Sequence, residues 1–85
     1  MIHELKIDEN FTDAIISGDK NFEIRYNDRG YQKGDIIKFK PTYTSDGVVN
    51  TANPIYNSLY EITYVLNGWG LKEGYVVLGI KPYIE

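Results

Sequence analysis

Gly18, Lys20, Glu23 and Arg25 bring an ammonium, a carboxylate and a guanidinium within eight residues. Strand alternation puts Glu23 and Arg25 on one face, about 7 Å apart along the chain, with Lys20 at the corner before them. Three such groups converging can bind an anion or a polar ring. Arg25 would grip a phosphate or carboxylate through its planar fork. Glu23 would accept from an amino or hydroxyl group, and Lys20 would supply charge or a base. The same spacing also describes an ion-paired sheet face on which Glu23 and Arg25 neutralise each other.

Other chemistry is thinner. There is no cysteine, which removes disulfides, thiolate metal sites and a cysteine nucleophile. No His, Asp and Glu cluster has metal-ligand spacing, so no metal and no cofactor are expected. His3, the only histidine, starts a strand beside Glu4 and reads as a surface or hydrogen-bonding group. A lone histidine also leaves no acid–base pair for RNA cleavage. Trp69 stands between Gly68 and Gly70 in a turn, where it could stack on a base. Eight tyrosines suit either wet-ended strands or a stacking surface.

Net charge is −3, too acidic for a domain held to nucleic acid by bulk electrostatics. The distribution is uneven. Lys20, Arg25, Arg29, Lys33, Lys38 and Lys40 face only Glu23, Asp28 and Asp35 in residues 20–40, a local excess of three positive charges. A basic patch on an acidic body can capture an anion at one place without non-specific binding elsewhere. With 85 residues, 42% hydrophobic and 25% charged, the chain is expected to be a single globular domain over 1–85. No signal-peptide pattern and no apolar run of membrane length is present, so a soluble cytoplasmic protein is expected.

The elements that must position the motif follow from periodicity. His3 to Ile7 reads as a strand with Leu5 and Ile7 on one face. Asp8 is placed to cap a helix of about ten residues carrying Phe11, Ala14 and Ile15 on its packed stripe, with Gly18 as left-handed C-cap. After Gly18 the period becomes two. Phe22, Ile24 and Tyr26 read as the core face of the next strand. Ile36 to Lys40 is a strand with Ile37 and Phe39 inward, and Pro41 ends or bends it. Residues 41–57 are polar, with Asp46-Gly47 as a hairpin signal. Leu59 to Leu66 is apolar on both faces, as a central strand would be. Tyr75 to Ile80 is a final buried strand. The order implies an α+β fold: a small curved sheet or barrel of about five to six strands with one short helix across it.

Gly18-x-Lys20-x-x-Glu23-x-Arg25 resembles the G-x-K-x-x-E-x-R signature of ASCH (activating signal cointegrator homology) domains, in the PUA-like superfamily. The opening His-Glu-Leu-Lys-Ile, Asn27-Asp28-Arg29 with Gly34-Asp35, and the closing Gly70 to Lys81 look like a small bacterial and phage subfamily. Residues 41–57 have no counterpart in that pattern. The resemblance implies a PUA-like barrel with the motif lining a cleft beneath the helix, and an RNA-binding role. It makes Lys20, Glu23 and Arg25 the cleft residues, with Asp28 and Arg29 as neighbours.

One group of ASCH enzymes hydrolyses acetylated cytidine with a lysine matching Lys20, a threonine where Glu23 stands, and a later glutamate. Here the threonine is missing, and only Glu61 and Glu73 lie near the glutamate's expected segment. A carboxylate beside Lys20 favours the charged amine, against a role as neutral base or nucleophile. The expectation is therefore an RNA- or nucleotide-binding module using Lys20, Glu23, Arg25, Asp28, Arg29 and Trp69. The alternatives are a small amidohydrolase-like enzyme on a modified nucleoside, or a protein-interaction module.

Overall fold

The structure, a computed structural model, describes residues 1–84. β1 (Ile2–Asp8) leads into a 3-10 turn (Glu9–Phe11) and a single short helix, α1 (Thr12–Ser17). Four strands follow: β2 (Phe22–Tyr26), β3 (Ile36–Thr42), β4 (Leu59–Asn67) and β5 (Tyr75–Pro82). They form one five-stranded sheet in the order β1-β3-β4-β5-β2, the α+β architecture expected. β1 and β3 are parallel, and the other neighbours are antiparallel. A parallel pair needs a long crossover, and here the helix and β2 supply it. β4 sits at the centre, in keeping with its two apolar faces.

The sheet curls into a half-barrel around Leu5, Ile7, Ile37, Phe39, Ile62, Val76, Leu78 and Ile80, each at most 5% exposed. Asp8 caps the 3-10 turn by accepting from the Asn10 amide at 2.8 Å. Gly18 ends α1 with φ +86°, a conformation that costs a residue with a Cβ free energy. The helical segment is thus nine residues in two parts, of which Thr12 and Ile15 are buried. Phe11, expected on the packed stripe, is 49% exposed because it lies in the 3-10 turn, where the helical period does not hold.

Residues 41–57 are a structured excursion. The turn spans residues 44–47, longer than the two-residue loop that Asp46-Gly47 signals, and brings Thr42 opposite Val49 in a single bridge, with the Tyr43 amide bonding the Val48 carbonyl at 2.9 Å. Ile55 then plugs the core with no exposure, and Asn53 donates to Thr12 Oγ1 at 3.1 Å. Among the described residues no helix is long and apolar enough to cross a membrane.

His3 is 3% exposed and anchors the start of β1. Its Nε2 donates to Asp35 Oδ2 at 2.9 Å, since a carboxylate only accepts. The Gln32 amide donates to the same oxygen at 3.1 Å. The His3 hydrogen bond, helped by Gln32 and the N-terminus, holds the Asp35 carboxyl below its ordinary 3.8, although burial opposes this. A depressed acid stabilises the fold above its unfolded value and loses that stability as pH falls through the folded value. Asp35→Asn should therefore flatten the stability curve below about pH 4, relative to wild type, in urea unfolding followed from pH 6 to 2. Parallel acid limbs for the two proteins would discount the interaction.

Candidate functional site

β1 and β2 are the two edges of the sheet, and the curl turns them toward each other. An open edge exposes unpaired backbone groups that must be satisfied. Arg25 spans this seam from β2, donating from Nη2 to the Lys6 carbonyl on β1 at 2.6 Å. The same nitrogen donates to Glu23 Oε1 at 3.1 Å. Glu23, 5% exposed, accepts from Lys20 through its other oxygen, and Lys20 Nζ also donates to the Phe22 carbonyl at 2.9 Å. Lys20 further lies over the Phe11 and Phe22 rings, at 5.4 and 5.1 Å from their centroids. A buried carboxylate clamped between two cations thus fixes the guanidinium in place. Only Nη2 of Arg25 is used, so among the described residues the N–H groups of Nε and Nη1 have no protein partner.

The face of β2 is the reverse of the sequence expectation. Glu23 and Arg25 point inward. Phe22, Ile24 and Tyr26, read as the core face, are 38%, 55% and 58% exposed. Closing a barrel would have put the apolar side inward. In a half-barrel the inner side of β2 meets the seam, where the Lys6 carbonyl needs a donor, and the polar pair fills that place.

Two clefts flank Arg25. The larger, about 480 Å³, is lined by Lys6, Arg25, Arg29 and Lys40 together with Glu4, Asp28, Tyr26 and Tyr31. Four cations against two carboxylates give it a positive bias. Lys40 is partly committed, bonding Asn57 Oδ1, pairing with Glu4 at 3.5 Å and lying over the Tyr56 ring. Arg29 and the Lys6 ammonium have no ion pair among the described residues. Tyr31 is 5% exposed. Burial raises its phenol above 10.0, Arg25 and Arg29 pull it back, and Asp28 and Glu23 push it further, so these charges all act on its hydroxyl. The smaller cleft, about 220 Å³, holds Asp8, Phe11 and Glu23 on the other side of Arg25.

The structure therefore brings Lys20, Glu23 and Arg25 into one network and gathers Arg25, Asp28 and Arg29 around one cleft. Lys20 stands behind Glu23 and lines neither cleft. Trp69 also lines neither; it is 90% exposed at the tip of the β4–β5 turn, with φ +51°. Of the two glutamates considered for catalysis, Glu61 pairs in register with Lys81 on the far side of the sheet. Glu73 lies in the β4–β5 connection, and neither lines the clefts beside Arg25. Sequence reasoning missed Lys6 and Tyr31. Lys6 becomes part of the site only because β1 curls against β2. Tyr31 sits in a stretch without periodicity, so nothing in its spacing marks it as buried.

A family model described as Domain of unknown function (DUF3850) matches residues 2–80. No curated protein matches the chain.

Proposed function

The chain belongs to the DUF3850 family, and from the chemistry of its seam we propose that it is a module that binds RNA or a nucleotide beside Arg25. The observation that carries this reading is the half-used guanidinium. Glu23 and the Lys6 carbonyl orient it through Nη2, the nitrogen shared by both of its forks, leaving the N–H groups of Nη1 and Nε to donate singly to an oxyanion. Lys6 and Arg29, which have no ion pair among the described residues, add charge to the same cleft. The volume of about 480 Å³ lies within the usual range for small-ligand sites, roughly 300–1,000 Å³. Tyr26, exposed at the edge of this cleft, supplies a ring against which a base can pack. The resemblance of Gly18 to Arg25 to the ASCH signature supports the same assignment, and an RNA-directed role fits a cytoplasmic setting. Lys20, committed to Glu23 and the Phe22 carbonyl, gives no support to an amidohydrolase in which that amine acts as base.

Titration of the isotopically labelled protein with short single-stranded RNAs, cytidine and acetylated cytidine, read by amide NMR, tests this. Shifts should gather on Lys6, Arg25 to Tyr31 and Lys40. With two to four phosphates engaged, log Kd against log salt should have a slope of roughly 1.5 to 3. A slope near 6 would replace the compact site by a broad electrostatic track. Product peaks growing from acetylated cytidine would replace binding by catalysis. A spectrum unchanged by every ligand would remove the reading.

A further inference from the structure

We propose that the cleft beside Arg25 is the first of two consecutive subsites for single-stranded RNA, divided by the ring of Tyr26; the inference rests on the nucleotide reading above. Tyr26 is the last residue of β2 and lines the Arg25 cleft on one side. On its other side it lines a separate cleft of about 610 Å³, bounded by Asn27, Asn67, Lys72, Glu73 and Tyr75. Of these two clefts Arg25 lines only the first and Tyr26 lines both, so a ligand that occupies both must cross the end of β2.

The ring at this divide is held rigidly although it is exposed. It lies against the backbone of Gly74, where a Cβ would come within 2.6 Å of Tyr26 Cε1. Gly74 has φ +86°, so the chain there both requires and exploits the missing side chain. The Tyr75 ring meets Tyr26 edge-on, with centroids 5.5 Å apart at 73°. The Asn27 amide bonds the Gly74 carbonyl at 2.8 Å and ties the two segments together. An aromatic ring that is 58% exposed yet packed against both Gly74 and the Tyr75 ring has less conformational freedom to lose when a base stacks on it.

The two clefts differ in chemistry. The first is cationic. In the second, Lys72 is offset by Glu73 and lies over Tyr75 at 5.9 Å, leaving side-chain amides and rings to hold a ligand. A phosphate would seat at Arg25, and the next base would stack on Tyr26 and meet Asn27 and Asn67. Binding gained from the second nucleotide is therefore stacking and hydrogen bonding rather than charge, and it resists salt.

The test compares uridine 3′-monophosphate, UpU and tetrauridylate on the full chain at 50 and 200 mM salt, by calorimetry or NMR. UpU should bind about ten-fold more tightly than the mononucleotide, as one stacked base provides, and the ratio should persist at the higher salt. Tyr26→Leu keeps apolar bulk over Gly74 but cannot stack, and should bring the ratio to within about two-fold; Tyr26→Phe should retain it. Equal affinity for UMP and UpU, a ratio lost at 200 mM salt, or an undiminished ratio in Tyr26→Leu would overturn the second subsite while leaving the Arg25 site standing. Failure of all three RNAs to bind would overturn both.

Discussion

Replacing Glu23 with alanine should lower the unfolding free energy by about 2–3 kcal/mol and the melting temperature by about 10–20 °C. The carboxylate is 5% exposed and accepts from Lys20 on one oxygen and Arg25 on the other. Removing it leaves two cations facing each other with nothing between them. Breaking a fully buried pair in this way costs about 3–5 kcal/mol, and the lower figure here reflects partners that keep 18% and 25% of their side chains in water. Two further measurements isolate the electrostatic origin. Removing Lys20 as well should recover part of the loss, because one stranded charge is gone. Raising salt should narrow the gap between Glu23→Ala and wild type through screening. A melting temperature within about 3 °C of wild type would mean that water replaces the carboxylate freely.

Arg25→Ala should weaken RNA or nucleotide binding by about 10- to 100-fold, the loss of one or two charge-assisted hydrogen bonds. Its effect on stability should be smaller than that of Glu23→Ala, because Glu23 keeps Lys20 as a partner and the Lys6 carbonyl, at an edge, can turn to water. The two variants thus separate by phenotype: one mainly unfolds, the other mainly stops binding. Arg25→Lys should not restore affinity. An ammonium that satisfied the Lys6 carbonyl and Glu23 would have one N–H left for the ligand, where the guanidinium has three. Isothermal titration at fixed salt measures both substitutions. Full affinity in Arg25→Lys would show that charge alone, without the guanidinium's additional donors, is enough.

Much of the fold was legible because local rules and tertiary packing agree. Leu5 and Ile7, Ile37 and Phe39, and the two-faced Leu59 to Leu66 all announce their positions through period and apolarity. Asp8 and Gly18 mark the helical segment at both ends. The 41–57 excursion was less legible, since the burial of Ile55 in the core and the Asn53 bond to Thr12 on the helix are tertiary contacts that no local pattern reports.

At the site, residue types and spacing lead to the expectation that Lys20, Glu23 and Arg25 lie together and that Glu23 and Arg25 share a face, either as a binding cleft or as an ion-paired sheet face; the ion pairs are what the structure contains. Which face that is depended on the tertiary structure. Alternation fixes only that side chains take opposite sides; hydrophobicity normally chooses the inner one. Here the sheet stays open between β1 and β2, strands that lie beside no common neighbour in the sheet order. The inner side of β2 therefore meets a backbone carbonyl in need of a donor instead of an apolar core. That one unpaired edge turns the charged residues inward, exposes Phe22, Ile24 and Tyr26, and brings Lys6 into the site from nineteen residues away.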